Sequence, residues 1–261
     1  MKKKIAIIGT GNMGSAVAAS LPAEDYEVVC TAASRSTLER IKKELPGVEV
    51  TTDNSQAVKD ADLVVLAVKP YIAPEIMPEI IPGIKDGATI ISVIAGLPLE
   101  NLEQTFSAES RKLNVFRVIP NTAIRNGKSA TFVASSKLAS SEAVDEVMGI
   151  FNRSGKAFLI PEKNMAACTA LASCGIAFFL RFIRAAAEGA VELGLKADFA
   201  TEVAALTAAG AASLLSDGSH PEAEIDKVTT PGGLTIKGLN AMEDKGFTSA
   251  VIAGLRASVV K

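Results

Sequence analysis

Pro231-Gly232-Gly233-Leu234-Thr235 sets bare backbone and a hydroxyl at the head of a helical pattern, a combination suited to holding an anion. Pro231 stops whatever precedes it, Gly232 and Gly233 leave the amides uncovered, and Leu234, Ile236, Leu239 and Met242 recur at helical spacing. The free amides of a first helical turn, with the positive end of the helix dipole, favour a carboxylate or phosphate by roughly 0.3–2 kcal/mol. Thr235 lies in that turn, and its hydroxyl both donates and accepts. An ordinary loop-to-helix junction spells the same local pattern, so the rest of the chain must decide.

The second chemical motif is Gly9-Thr10-Gly11-Asn12-Met13-Gly14, between the apolar run KIAII and the helical pattern MGSAVAASL. That is the setting of a dinucleotide-binding turn: Gly9 permits the tight turn, Gly11 lets backbone approach a pyrophosphate, and Gly14 lets the helix close on the strand. At the end of the next strand, where an acidic residue holds the ribose of NAD, the chain reads Thr31-Ala32-Ala33-Ser34-Arg35-Ser36. Hydroxyls and a guanidinium suit a 2′-phosphate, which favours NADP over NAD; the alternative is that Arg35 is a solvated loop charge. Val68-Lys69-Pro70-Tyr71 and Ala95-Gly96-Leu97-Pro98 follow the fourth and fifth strands, at the edge where an open parallel sheet holds its cofactor. Lys69 is read there as a positioning or solvated lysine in preference to a catalytic one.

The elements that must carry these motifs fall into two kinds. From residue 5 to about 160, short Val- and Ile-rich runs alternate with amphipathic stretches, the pattern of a parallel sheet with crossover helices. Eight strands are expected: Ile5 to Ile8, Val28 to Thr31, Val48 to Thr51, Leu63 to Val68, Thr89 to Val93, Val115 to Ile119, Thr131 to Ala134 and Ala157 to Ile160. Ser36-Thr37-Leu38-Glu39 spells a capping box that opens the second helix. After Pro161 the runs give way to helices rich in Ala and Leu, expected over Lys163 to Cys174, Gly175 to Leu193, Ala197 to Ser216, Pro221 to Val228, Gly233 to Lys245 and Thr248 to Val260. The fold is α/β: an N-terminal Rossmann-type doubly wound sheet over residues 1–161, then an all-α dimerisation and substrate-binding domain over residues 162–261.

Composition narrows the partners. Lys and Arg total 27 against 29 for Asp and Glu, so there is no general electrostatic case for nucleic acid or an anionic membrane. With 48% hydrophobic and 21% charged residues the chain reads as compact, and a small molecule is the expected ligand. Cys30, Cys168 and Cys174 have neither disulfide-framework nor metal-ligand spacing, which fits a reducing cytoplasm; Cys168 and Cys174 are expected as small buried apolar side chains. The N-terminal apolar run breaks at Gly9 and reads as a strand rather than a signal peptide. Asn164 to Leu180 falls short of a typical membrane span and runs into Arg181 and Arg184, so no membrane segment is needed. Helices such as AAAEGAVELGL and AALTAAGAASLL carry small residues on nearly every face, which implies packing against a second copy of the chain. The single histidine, His220, sits in a loop before a helix, where capping is favoured over catalysis.

IAIIGTGNMGSAVA, LAVKPY, SVIAGLPLENLE, FRVIPNTAIRNG and SHPEAEIDKVTTPGGLTIKGLNAMEDKGF together resemble the pyrroline-5-carboxylate reductase family over nearly the whole length, the last being the most specific. The resemblance implies reduction of the cyclic imine 1-pyrroline-5-carboxylate to L-proline with NADPH, or NADH as the alternative, as the last step of proline biosynthesis. It also implies an active site between the subunits of a homodimer or a larger assembly of dimers. Carried over, it puts the pyrophosphate over Gly9 to Gly14, the phosphorylated ribose near Ser34 and Arg35, and the adenosine half beside Asn54. Val68 to Tyr71 and Ala95 to Gly96 flank the nicotinamide. The amides of Gly233 and Leu234, bordered by Thr230 and Gly232, hold the substrate carboxylate; Thr235 meets the ring nitrogen, and Glu162 lies on the substrate side. Solvent can protonate the imine, so a chain without an obvious acid-base pair suits the reaction, and near-attack positioning is worth about 7–11 kcal/mol. The chain departs from the family at Ser173-Cys174-Gly175-Ile176-Ala177-Phe178, where a Gly-Ser-Gly-Pro-Ala-Tyr run is usual, and at Lys227, where asparagine is common. Two other readings stand beside this one. One is a related NADP-dependent enzyme, either another imine reductase or a β-hydroxyacid dehydrogenase; the latter needs a catalytic lysine, and Lys163 is near the right place but lacks the matching glycine-rich segment. The other is a catalytically silent nucleotide-binding regulator, which the altered segment suggests and the intact Pro231 to Thr235 segment argues against.

Overall fold

Short runs of Val and Ile suit the buried strands of a parallel sheet, and in the computed structural model, which describes residues 2–107 and 112–259, all eight expected runs join one sheet. The strands are β1 (Lys3–Ile8), β2 (Tyr26–Thr31), β3 (Glu49–Thr51), β4 (Leu63–Leu66), β5 (Thr89–Ser92), β6 (Asn114–Ile119), β7 (Ser129–Ser135) and β8 (Gly155–Leu159), in the order β3-β2-β1-β4-β5-β6-β7-β8. Successive side chains alternate between two apolar layers. Ala6, Ile8, Val64, Leu66 and Ile90 face one side, with α3 (Asn54–Val58), α4 (Ala73–Ile80) and α5 (Leu99–Ser107) packed on it. Ile5, Ile7, Leu63, Val65 and Ile91 face the other, covered by α1 (Asn12–Ser20), α2 (Arg35–Glu44) and α6 (Ser141–Asn152).

The sheet is not wholly parallel, contrary to the expectation. β7 runs antiparallel to β6, with Ile119 opposite Phe132, while every other pair is parallel. The link over residues 120–128 contains only a 3-10 turn, Thr122–Asn126, and is shorter than the dozen or so residues of a parallel crossover.

Contacts divide the chain into two compact units, residues 1–173 and 174–261. The first continues past the compositional break because α7 (Met165–Thr169) belongs to the sheet: Met165 is buried in its core, Cys168 and Ala172 pack at the rim, and Asn121 Nδ2 donates to the Ala172 carbonyl. A π-helical turn, Ala170–Cys174, follows. Cys168 and Cys174 are half-buried rather than buried, and Cys30 alone of the three is fully enclosed.

The second unit consists of α8 (Gly175–Glu192), α9 (Ala197–Ser213), α10 (Pro221–Val228), α11 (Leu234–Asp244) and α12 (Phe247–Ala257). Val260, the expected end of the last helix, lies outside the described residues. α8 packs along α9, and Phe182 meets Phe247 of α12 with ring centroids 6.2 Å apart. Large apolar side chains stay in the open, including Phe179, Leu180, Phe199 and Leu206. The helical stretch Glu162–Glu192 is longer than the run Asn164 to Leu180 suggested, and by length and composition alone it could cross a membrane.

Candidate active site

Strand order reverses direction at β1 and β4, and the crevice beyond their carboxyl ends is where an open α/β sheet binds ligands. The glycine turn fills that place. Gly9 has φ +91°, and a Cβ on it would stand 2.6 Å from Val68 Cγ1, so the first glycine is fixed by both conformation and the β4 loop. A Cβ on Gly14 would collide with the Gly9 carbonyl oxygen. Around Gly11 there is open space, and it begins α1 with no side-chain cap, leaving first-turn amides for a ligand. Thr10 is buried, and its amide (2.7 Å) and hydroxyl (2.8 Å) both donate to the Thr31 carbonyl, while Gly9 N donates to Thr31 Oγ1. Thr10 therefore ties the turn to β2 through its side chain, whereas Asn12 is exposed and Met13 half-exposed. Beside it burial pushes the Cys30 thiol up to about 11, partly opposed by the Thr10 hydroxyl, so Cys30 stays protonated and is no nucleophile.

At the end of β2, Ser34 and not Ser36 is the N-cap of α2; its Oγ accepts from Thr37 N at 3.2 Å. The capping-box spelling lies two positions inside the helix because the extended backbone already turns at Ser34. Ser34 Oγ also lies 2.8 Å from Thr37 Oγ1 and 3.2 Å from Ser36 Oγ, so three hydroxyls gather at a helix N-terminus beside Arg35, which has no ion pair among the described residues. Asn54 opens α3, and its amide reaches Glu79 Oε2 at 3.4 Å.

Val68 is half-buried against the core, the Lys69 carbonyl accepts from Ile72 and Ala73, and Pro70 and Tyr71 are exposed. After β5, Ala95 and Gly96 are exposed, with Gly96 at φ +76°. Glu162 reaches this loop: its Oε1 accepts from Leu99 N at 3.1 Å, at the start of α5, and pairs with Arg117 Nη1 at 2.6 Å. Glu162 Oε2 and Arg117 Nε are buried without partners among the described residues. Sequence reasoning missed Arg117. A lone arginine within VFRVI was the available signal, since a cation in a buried strand requires a partner. It also missed Arg125, whose Nη2 stands 3.3 Å from Asn12 Oδ1.

In the helical unit, the Thr230 carbonyl accepts from Gly233 N at 2.9 Å and Gly232 has φ +71°. With proline second and glycine third, Thr230 to Gly233 forms a type II turn. A Cβ on Gly233 would lie 2.5 Å from Thr230 Oγ1, so both glycines are required. Gly233 is the N-cap of α11 and supplies no side-chain cap, unlike His220, whose Nδ1 caps α10 by accepting from Glu222 N at 3.2 Å. Leu234 and Thr235 are exposed in the first turn of α11. The described residues contain no group of three His, Cys, Asp or Glu placed to hold a metal.

The doubly wound sheet with a glycine turn at its switch point defines a dinucleotide-binding α/β protein, and comparison with known proteins makes the class specific. The family of pyrroline-5-carboxylate reductase dimerisation domains matches residues 162–261, and that of coenzyme F420-dependent NADP oxidoreductases matches residues 4–96. Pyrroline-5-carboxylate reductase 2 of Dictyostelium discoideum is 37% identical over 99% of this chain and 92% of its own. Pyrroline-5-carboxylate reductase 1 of the same organism is 39% identical over 97% of this chain, which spans 48% of that protein. Among solved structures, a pyrroline-5-carboxylate reductase from Coxiella burnetii superposes with a TM-score of 0.89 at 26% identity, covering 99% of this chain and 97% of the other. The Plasmodium falciparum pyrroline carboxylate reductase with NADP bound gives 0.85 at 26% identity, covering 98% and 95%. The chain belongs to the pyrroline-5-carboxylate reductase family.

Proposed function

We propose that the protein reduces 1-pyrroline-5-carboxylate to L-proline with NADPH, NADH being the alternative reductant, in the last step of proline biosynthesis. The observation that carries the chemistry is the uncapped start of α11: a type II turn, closed by the Gly233 amide, presents the first-turn amides from Leu234 onward and the Thr235 hydroxyl together, with no side chain of the protein capping them. The amides from Leu234 onward hold the substrate carboxylate, with Thr230, Gly232 and Gly233 bordering it. Thr235 hydrogen-bonds the ring nitrogen and so fixes how the carbon of the C=N bond is turned toward the hydride donor. The residues on the sheet fit a dinucleotide: Gly11 leaves room and free amides for a pyrophosphate, Ser34 and Arg35 suit a 2′-phosphate, and Asn54 borders the adenosine. When bound, the cofactor supplies the hydride that adds to the imine carbon, while the nitrogen takes its proton from solvent. Val68 to Tyr71 and Ala95 to Gly96 flank the nicotinamide and limit its movement.

The functional boundary is read at residues 161/162, which the dimerisation family match over residues 162–261 supports. Glu162 serves the cofactor side by holding the Ala95–Pro98 loop and borders the substrate from there. The exposed apolar surface of α8 and α9 is the contact between copies in a homodimer or an assembly of dimers, which also accounts for the apolar character of Glu162–Glu192 without a membrane, since Arg181, Arg184 and Glu188 interrupt it. The near-balance of charge offers nothing to nucleic acid, and three unpaired cysteines suit the cytoplasm.

The test follows NADPH oxidation with pyrroline-5-carboxylate and with small 3-oxo acids. Turnover with the imine alone is expected. Turnover of 3-oxo acids alone would replace this reading with a hydroxyacid dehydrogenase, and cofactor binding without turnover of either would make the protein a regulator.

A further inference from the structure

Arg125 sits in an unfavourable place for a cation. The turn Thr122–Asn126 that carries it is firmly built: buried Asn121 caps it at Ala123 N, Ile124 is packed in the core, and Gly127 closes it with φ +65°. From this mount the side chain reaches across to the first residue of α1, with Nη2 at 3.3 Å from Asn12 Oδ1 and 3.5 Å from the Asn12 carbonyl. Arg125 is exposed, and a helix N-terminus carries about half a positive charge, so the helix does not favour a guanidinium there, whereas an anion between the two would be held by both. No carboxylate pairs with Arg125 among the described residues, and its other N–H groups have no acceptor there. The Gly9–Gly14 turn itself contains no cation, and α1 has neither a side-chain cap nor an acidic residue in its first turn.

We infer that Arg125 is a cofactor-binding residue that neutralises the pyrophosphate over the Gly9–Gly14 turn, its planar fork facing the phosphate oxygens while Asn12 steadies it from the other side. The inference rests on the dinucleotide reading above. Because NADPH and NADH share the pyrophosphate, Arg125 strengthens both, whereas Arg35 distinguishes them.

The experiment measures the dissociation constants of NADPH and NADH, by cofactor fluorescence, for the wild type, Arg125→Ala, Arg125→Lys and Arg35→Ala, together with thermal midpoints without cofactor. Loss of a charge-assisted contact predicts that Arg125→Ala weakens both cofactors equally by about tenfold, with Arg125→Lys between it and wild type. Arg35→Ala weakens NADPH alone. The Arg125→Ala midpoint without cofactor stays at or above wild type, because a repulsion is removed. A loss below about twofold for both cofactors overturns the inference. So does a loss confined to NADPH, which would assign Arg125 to the 2′-phosphate, or an equal loss with a lowered midpoint, which would make its role structural. If the wild type binds neither cofactor, the dinucleotide reading falls and this inference with it.

Discussion

Glu162 and Arg117 form an ion pair at 2.6 Å on one face of the sheet, and the same carboxylate oxygen caps the start of α5 through Leu99 N. One side chain thereby links the first residue of the dimerisation family match to the Ala95–Pro98 loop. Removing it strands a mostly buried guanidinium and an amide. Glu162→Ala should cost about 2 kcal/mol, below the ~3–5 kcal/mol of a fully buried pair because a third of the Glu162 side chain is solvent-exposed. Glu162→Gln keeps an acceptor for Leu99 and should lose less. Urea denaturation measures both, and an alanine variant as stable as wild type would show that the pair contributes nothing to the fold.

The three glycines of the cofactor turn should separate folding from binding. Gly9→Ala forces a side chain into φ +91° against Val68, and Gly14→Ala drives a Cβ into the Gly9 carbonyl, so each should cost about 2 kcal/mol or more. Gly11→Ala meets nothing and should leave the thermal midpoint unchanged while weakening NADPH by about tenfold or more, since the methyl occupies the space of the pyrophosphate. A Gly11 variant that binds normally would remove the pyrophosphate from that position.

What the chain spells locally, it spells plainly. All eight strands follow from Val and Ile runs, and the tight turn at Gly9 and the close packing at Gly14 follow from their order along a strand-turn-helix. Direction was less legible: the reversal at β7 depends on a link too short for a crossover, not on anything within SATFVAS. Ser36, despite its better capping-box spelling, lost the cap to Ser34, because the cap is decided by where the backbone turns. Arg117 and Arg125 were missed for opposite reasons. The first is hidden in an apolar run, and the second sits in a short turn whose spacing carries no period, so only the fold brings it to Asn12.

The helical unit leaves Leu206 73%, Phe179 68% and Leu180 59% exposed, apolar surface that an isolated chain would not tolerate in water. The wild type should therefore sediment as a dimer or larger species at micromolar concentration. Leu206→Glu introduces a charge onto that surface and should shift the population toward monomer, with the cofactor affinity of the sheet unchanged. A wild type that sediments as a stable monomer would refute the assignment of this surface to subunit contact.

The turn before α11 offers two substitutions with different kinetic signatures. Gly233→Ala crowds Thr230 Oγ1 and disturbs the amides proposed to hold the carboxylate, so it should raise KM for pyrroline-5-carboxylate by about tenfold. Thr235→Ala leaves those amides in place and removes only the hydroxyl proposed to face the ring nitrogen. Its single-turnover rate of NADPH oxidation should fall by about tenfold or more, the value of one hydrogen bond to a nitrogen gaining basicity, while the NADPH dissociation constant stays within about twofold of wild type. Rapid-mixing absorbance at saturating imine separates the step from binding. An unchanged rate for Thr235→Ala would exclude the hydroxyl from the reaction and leave the turn as a carboxylate seat alone.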